Sequence, residues 1–297
     1  MYHVPALLNE CINGLNIQPG GVYVDVTFGG GGHSLEILKN LGDGRLVVFD
    51  QDITAAENVP DDPRILFLNQ NFRFLRNNLK FAGIGTIDGL IADLGVSFHQ
   101  FDEPERGFSF RFDTPLDMRM NQSSGRTAAE ILNSYSATEL ANVLRQYGEL
   151  RNAGRIAETL VATRESSPFT LTSDLVEAVK AFVPKKTENK FLAQLFQSLR
   201  IEVNREMESL KEMLEQALEM LKPGGRLVVM TYHSLEDRLV KNFFRTGNFE
   251  GIGDKDFYGN ITTPFILVNR KVIVPGDEEI GRNSRARSAK LRIAEKN

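Results

Sequence analysis

Apolar residues along the chain follow two rhythms. Val22-Tyr-Val-Asp-Val-Thr-Phe28 alternates β-branched and aromatic residues, the composition of a buried strand, and Arg45–Phe49, Arg64–Leu68, Ile87–Asp93 and Arg226–Thr231 share it. Between these runs the apolar positions recur at helical spacing. Leu35, Leu38 and Leu41 predict a helix from Ser34, Phe74–Ala82 predicts another, and Ile201, Met207, Leu210, Leu214, Leu218 and Leu221 predict one long amphipathic helix over 201–221. Strands alternating with helices predict an α/β fold built on a mostly parallel twisted sheet. The late runs 265–268, 271–274 and 291–294 offer the last strands.

From Phe101 the pattern changes. Glu105-Arg-Gly-Phe-Ser-Phe110 and Pro115-Leu-Asp-Met-Arg-Met120 are irregular and mix aromatic with charged residues. Helical stretches then follow at 128–132, 138–147, 151–164 and 173–182, with Ser136 and Thr172 as N-caps and Pro168 and Pro184 as breaks. Ordinary crossover helices are the simpler reading, but there are too many for one connection. Residues 105–199 are therefore expected to form an inserted helical substrate-recognition domain. Residues 1–104 and 200–297 would form a discontinuous α/β domain.

Composition narrows the class. A chain of 297 residues, 41% hydrophobic and 25% charged, has the balance of a globular protein with a large core. No apolar window is long enough to span a bilayer, and residues 1–20 lack the pattern of a secretory leader. The single cysteine, Cys11, excludes an internal disulfide framework and suits a reducing cytoplasm. It lies among Leu7, Leu8 and Ile12, where a packed thiol is expected rather than a nucleophile. With four histidines and one cysteine at no ligand spacing, no metal is expected. The net charge of −4 argues against a generally basic surface, yet Arg282–Arg292 carries five positive charges and no acid. That run is either a solvated tail or a phosphate contact.

The candidate chemistry gathers at Asp25-Val-Thr-Phe-Gly-Gly-Gly-Gly-His-Ser34. Glycines between a strand and a helix let backbone approach a ligand closely, and the helix N-terminus behind them offers free N–H groups. Asp50 ends the next strand about 20 residues on, where an acid receives ribose hydroxyls in dinucleotide-binding folds. The spacing G-x-G-x-x-G fails at Ser34, and Asp25 instead gives D-x-x-x-G-G-G-G, which resembles the acidic motif of S-adenosylmethionine-dependent methyltransferases. Asp25 is then expected near the pocket mouth. Asp93 ends the fourth strand, beside the point where strand order should reverse. It either meets the methyl donor and substrate or caps the next turn. Phe72 is a stacking aromatic or a core residue. His233 and Glu236 are candidates for the pocket rim, against a helix start capped by Ser234 with Asp237.

Taken together, Thr27–Ser34, Asp93-Leu-Gly-Val-Ser97, Glu105–Phe110, Pro115–Met120, His233-Ser-Leu-Glu-Asp-Arg238 and Arg285–Arg292 closely resemble the bacterial RsmH/MraW family, in order and over essentially the whole chain. The resemblance implies a class I S-adenosylmethionine-dependent methyltransferase, Rossmann-like with an inserted helical domain. The implied activity is methylation of the exocyclic N4 amine of a cytosine in the decoding region of 16S rRNA, within the small ribosomal subunit. It places donor binding on Gly31, Gly32, His33, Asp50, Phe72, Asp93 and Gln100; a cytoplasmic protein is expected, with its oligomeric state, monomer or homodimer, left open. The chain departs from the family pattern at Phe98-His-Gln-Phe-Asp102, usually Ser-Pro-Gln-Leu-Asp, and at Asn283-Ser-Arg285, usually Asn-Pro-Arg.

A cytosine amine is a poor nucleophile, so its N–H bonds need an acceptor; Asp93 is the expected catalytic group, with an aromatic from Phe98, Phe108 or Phe110 stacking on a flipped base. A methyltransferase acting on a small molecule or protein is the alternative, and a non-catalytic donor-binding module a third reading.

Overall fold

In the computed structural model, which describes residues 5–96, 100, 101, 103–253, 257, 258 and 262–297, the strand-rich runs assemble into one sheet. Its strands are β1 (Val22–Asp25), β2 (Arg45–Phe49), β3 (Ile65–Leu68), β4 (Ile87–Asp93), β5 (Leu221–Thr231), β6 (Phe265–Leu267) and β7 (Lys290–Lys296). Their order is β3-β2-β1-β4-β5-β7-β6. The first five pair in parallel, and β7 runs antiparallel to both β5 and β6. β1 lies between β2 and β4, so strand order reverses there. Ligands of such sheets bind beyond the strand carboxyl ends at that point.

Two compact units are present, one of residues 1–95 with 207–297, the other of residues 96–206. In the first, helices Leu8–Leu15 and Gly32–Asn40 bury Cys11, Leu15, Ile37 and Leu38 in one core with Val48, Ile91, Val228, Met230 and Ile293. Each such side chain contributes about 1.5–3 kcal/mol by leaving water. Cys11 is fully buried, and burial pushes its thiol well above its ordinary range.

The second unit packs helices Ala128–Ser134, Ala137–Gln146, Ala153–Ser166, Thr172–Val179 and Glu188–Asn204 around Leu132, Leu144, Ile156, Leu160, Leu195 and Leu199. Reciprocal capping boxes, Thr127 with Glu130 and Ser136 with Glu139, start the first two.

Four local expectations are corrected. The helix foreseen over 201–221 is two helices, Glu188–Asn204 and Glu206–Met220, parted at Arg205 in left-handed backbone (φ 50°). Asn204 explains the break, since its amide accepts from Met120 N–H at 2.7 Å and donates to Met118 C=O at 2.8 Å, tying the helix end to that loop. Thr172 is not an N-cap; its hydroxyl donates to Phe112 C=O, while the Asp174 carboxylate accepts from Leu171 N–H at 2.8 Å. The turn Lys222-Pro-Gly-Gly225 is a bulge within β5, with Gly224 at φ 78° and Lys222 Nζ held 2.7 Å from Asp88. The 271–274 run contributes one isolated pairing, Ile273 with Leu291.

Candidate active site

The glycine stretch forms the turn its composition predicts. Gly29 (φ 52°) and Gly31 (φ 77°) adopt left-handed backbone, the Gly31 N–H donates to Phe28 C=O at 2.8 Å, and the helix begins at Gly32. A Cβ on Gly31 would lie 3.0 Å from the Phe28 ring, and one on Gly32 2.2 Å from Pro5. Backbone therefore calls for glycine at Gly31, and space calls for it at Gly32.

Asp25 holds this turn from beneath. Only 2% exposed, its carboxylate accepts from Thr27 N–H at 3.0 Å and from the Ser34 hydroxyl at 2.7 Å. Burial raises its pKa, and those donors oppose the rise. The position foreseen near the pocket mouth is thus corrected: Asp25 is a buried brace between the end of β1 and the helix start.

Asp50, just past β2, accepts from Gly29 N–H at 2.8 Å through Oδ2 and from Asp52 N–H at 2.9 Å through Oδ1. Each oxygen keeps a second lone pair for a ligand hydroxyl. Burial pushes its carboxyl up to about 6 despite those two donors. Phe72 opens a short 3-10 turn after β3, capped by Asn71, and is half-buried.

Asp93 ends β4 at the strand-order reversal. Its N–H donates to Thr27 Oγ1 at 2.7 Å, and its Oδ1 accepts from the Tyr232 hydroxyl at 2.8 Å. Oδ2 faces His33 Nδ1 at 3.9 Å, and the carboxylate side chain is 24% exposed. Burial pushes Asp93 up to about 6, against the His33 ring and the Tyr232 hydroxyl, which both favour the carboxylate. The same burial, together with Asp93, raises the Tyr232 phenol far above its ordinary range.

His33 is 6% exposed, and burial lowers its pKa. Its Nε2 lies 3.3 Å from Ala6 C=O, which only accepts, so Nε2 presents a hydrogen there, while Nδ1 faces Asp93 Oδ2, where a proton on the ring favours the carboxylate. Such a ring positions its neighbours.

Gly31, Gly32, His33, Asp50 and Asp93 thus surround the carboxyl ends of β1, β2 and β4, and Phe72 follows β3. Gln100 is buried and belongs to the second unit. In that unit Phe108 lies in the helical core and Phe110 stands edge-on to Phe196, with ring centroids 5.6 Å apart. Phe98 lies outside the described residues.

His233, not Ser234, caps helix Ser234–Thr246: Nδ1 accepts from Glu236 N–H at 3.4 Å, and Glu236 accepts from Tyr232 N–H at 2.9 Å. Asp237 instead binds Arg292 at 2.7 Å, so part of the Arg282–Arg292 cationic run is already paired. Sequence reasoning missed Tyr232 and Thr27. Tyr232 stands one residue past β5, a position that marks it as near the sheet's ligand end and nothing more.

The pattern of the MraW methylase family matches residues 1–297. The chain belongs to the MraW methylase family. A "Ribosomal RNA small subunit methyltransferase H" from Parabacteroides distasonis is 61% identical over 297 residues, 99% of this chain and 97% of that protein. One of the same name from Bacteroides fragilis is 57% identical over 296 residues, 99% of this chain and 97% of that one. Among solved structures, an rRNA methylase from Streptococcus thermophilus aligns over 99% of both chains at 12% identity with a TM-score of 0.45, too distant to build on.

The sheet is the class I methyltransferase sheet, and the protein is an S-adenosylmethionine-dependent methyltransferase. The residues present suit that group: a glycine turn after β1, an acid past β2 with lone pairs left for ribose hydroxyls, and a partly exposed carboxylate at the strand reversal. Among the described residues no helix is long and apolar enough to cross a membrane.

Proposed function

We propose that the protein methylates the exocyclic N4 amine of a cytosine in the decoding region of 16S rRNA, acting on the small ribosomal subunit in the cytoplasm. The name carried by its relatives supports an rRNA substrate. The observation that supports amine chemistry is Asp93, with one oxygen on Tyr232 and a carboxyl at about 6.

Bound S-adenosylmethionine supplies an electrophilic methyl on a sulfonium. Gly31, Gly32 and His33 would seat its amino-acid end at the glycine turn, and Asp50 would receive the ribose hydroxyls. Phe72 would pack on the adenine, and the family resemblance also implies Gln100. The cytosine nitrogen shares its lone pair with the ring. Asp93 accepts one of its N–H bonds, which localises that pair and aligns the nitrogen for attack. Attack leaves the nitrogen with one proton too many, and Asp93 takes it. A carboxylate at about 6 is a better base than one at 3.8. Tyr232 and His33 hold the carboxylate's orientation. The helical block 105–199 is assigned the RNA-facing role.

Asp93→Asn tests this directly. It keeps the size and the bond from Tyr232 but removes the base, so kcat should fall by about 10²–10⁴ with secondary structure unchanged. Full turnover would remove Asp93 from the chemistry.

A further inference from the structure

Away from the active centre, a cavity of about 320 Å³ opens between helix Ser234–Thr246 and strands β6 and β7. Lys241, Arg245, Arg270 and Arg292 line it over an apolar floor that includes Phe244, and no acidic residue lines it. Lys241 and Arg245 are one helical turn apart and share a face. Arg270 follows β6 and Arg292 projects from β7, so three elements converge their cations on one concavity. Arg292 is paired with Asp237 at 2.7 Å, and Lys290 lies 3.6 Å from the same carboxylate. Lys241, Arg245 and Arg270 have no ion pair among the described residues.

A solvated cationic face is the ordinary fate of such side chains. Here the net charge of the chain is −4, so a concave group of unneutralised cations stands against its own background. Its location is also specific. Met230 on β5 pairs with Asp93 on one side and Leu291 on the other, which sets Leu291 two strand spacings, about 10 Å, from Asp93. Arg292, the next residue, points to the opposite face of the sheet, toward helix Ser234–Thr246.

We propose that this groove binds the phosphodiester backbone of RNA on the opposite face of the sheet from Asp93, holding a stretch of the substrate remote from the target base. The inference rests on the reading that the substrate is RNA. Guanidinium groups grip phosphate oxygens in pairs and the lysine adds a point charge, so the contact gives affinity and register rather than sequence choice.

The test uses the full chain with Lys241→Gln, Arg245→Gln and Arg270→Gln combined. Arg292 is left in place because it anchors Asp237. Binding of a labelled single-stranded oligoribonucleotide is measured across a salt series. Each lost phosphate contact lowers the slope of log K against log salt by about 0.7 for single strands, so the slope should fall by about 2 and affinity by about tenfold or more. The charge-preserving set Lys241→Arg, Arg245→Lys and Arg270→Lys should keep most of the affinity. Circular dichroism and S-adenosylmethionine affinity should be unchanged in both.

Equal affinity and slope for wild type and the glutamine variant would overturn the proposal. So would binding to phosphatidylglycerol vesicles that the variant loses while its RNA binding is intact. Methyl transfer to ribosomal RNA is read separately: a wild type that binds RNA through the groove yet methylates none overturns the substrate assignment and supports the groove.

Discussion

The Tyr232 hydroxyl donates to Asp93 Oδ1 at 2.8 Å, joining the residue after β5 to the last residue of β4. The bond favours the ionised carboxylate, against the burial that raises it to about 6. The Asp93 carboxyl is therefore set by burial on one side and by the His33 ring and the Tyr232 hydroxyl on the other, and deleting one atom removes the last of these.

Tyr232→Phe removes it. The Asp93 pKa should rise, and the acid limb of kcat, near 6 in the wild type, should move up by about one unit. Profiles of kcat against pH for the two proteins check this. Superimposed acid limbs would show that Asp93 does not titrate in turnover.

Stability should respond to pH in the opposite sense to activity. Asp50 and Asp93 each release their proton near 6 when folded but near the ordinary 3.8 when unfolded. Between those values the folded chain binds more protons, so stability falls as pH rises through the window, by up to about 3 kcal/mol for each group. Urea midpoints of Asp50→Asn with Asp93→Asn should exceed wild type at about pH 7.5, with the gap narrowed to roughly half at about pH 5. Parallel midpoints at both pH values would contradict the burial argument.

Gly31→Ala puts a Cβ 3.0 Å from the Phe28 ring on backbone at φ 77°. It should cost about 1–2 kcal/mol of stability and weaken S-adenosylmethionine binding by at least about tenfold. Gly85→Ala, where nothing lies within 4 Å, should change stability by less than about 0.5 kcal/mol. Calorimetric titration and thermal melting check both. Equal donor affinity in Gly31→Ala and wild type would remove the turn from the donor site.

The sheet was legible because its strands are buried on both faces. Val24, Val47, Val48, Leu90 and Ile91 are almost fully buried, and such runs announce themselves in sequence. The glycine turn and the acids at strand ends were legible too, since topology alone places them at the ligand end. Pairings made only by tertiary structure were not. Tyr232 and Asp93 are 139 positions apart, and no local rhythm links them. The break at Arg205 was hidden because Asn204 ends its helix by bonding Met118 and Met120, more than 80 positions upstream. His233 was passed over as a cap in favour of Ser234 because hydroxyls usually fill that position; Glu236, three residues on, bonds back to the Tyr232 N–H and completes the cap from the far side. Asp25 read as a ligand acid, yet the Ser34 hydroxyl and Thr27 amide that consume it are visible only once the turn is folded.

The most direct test is transfer of labelled methyl from S-adenosylmethionine to small ribosomal subunits that lack the modification, beside naked 16S RNA and free nucleosides, with the product nucleoside identified by mass. The account predicts N4-methylated cytidine, or its 2′-O-methylated form, from subunits and none from nucleosides, with the signal lost in Asp93→Asn. Tight donor binding without transfer to any RNA would contradict it and point to a protein or small-molecule acceptor.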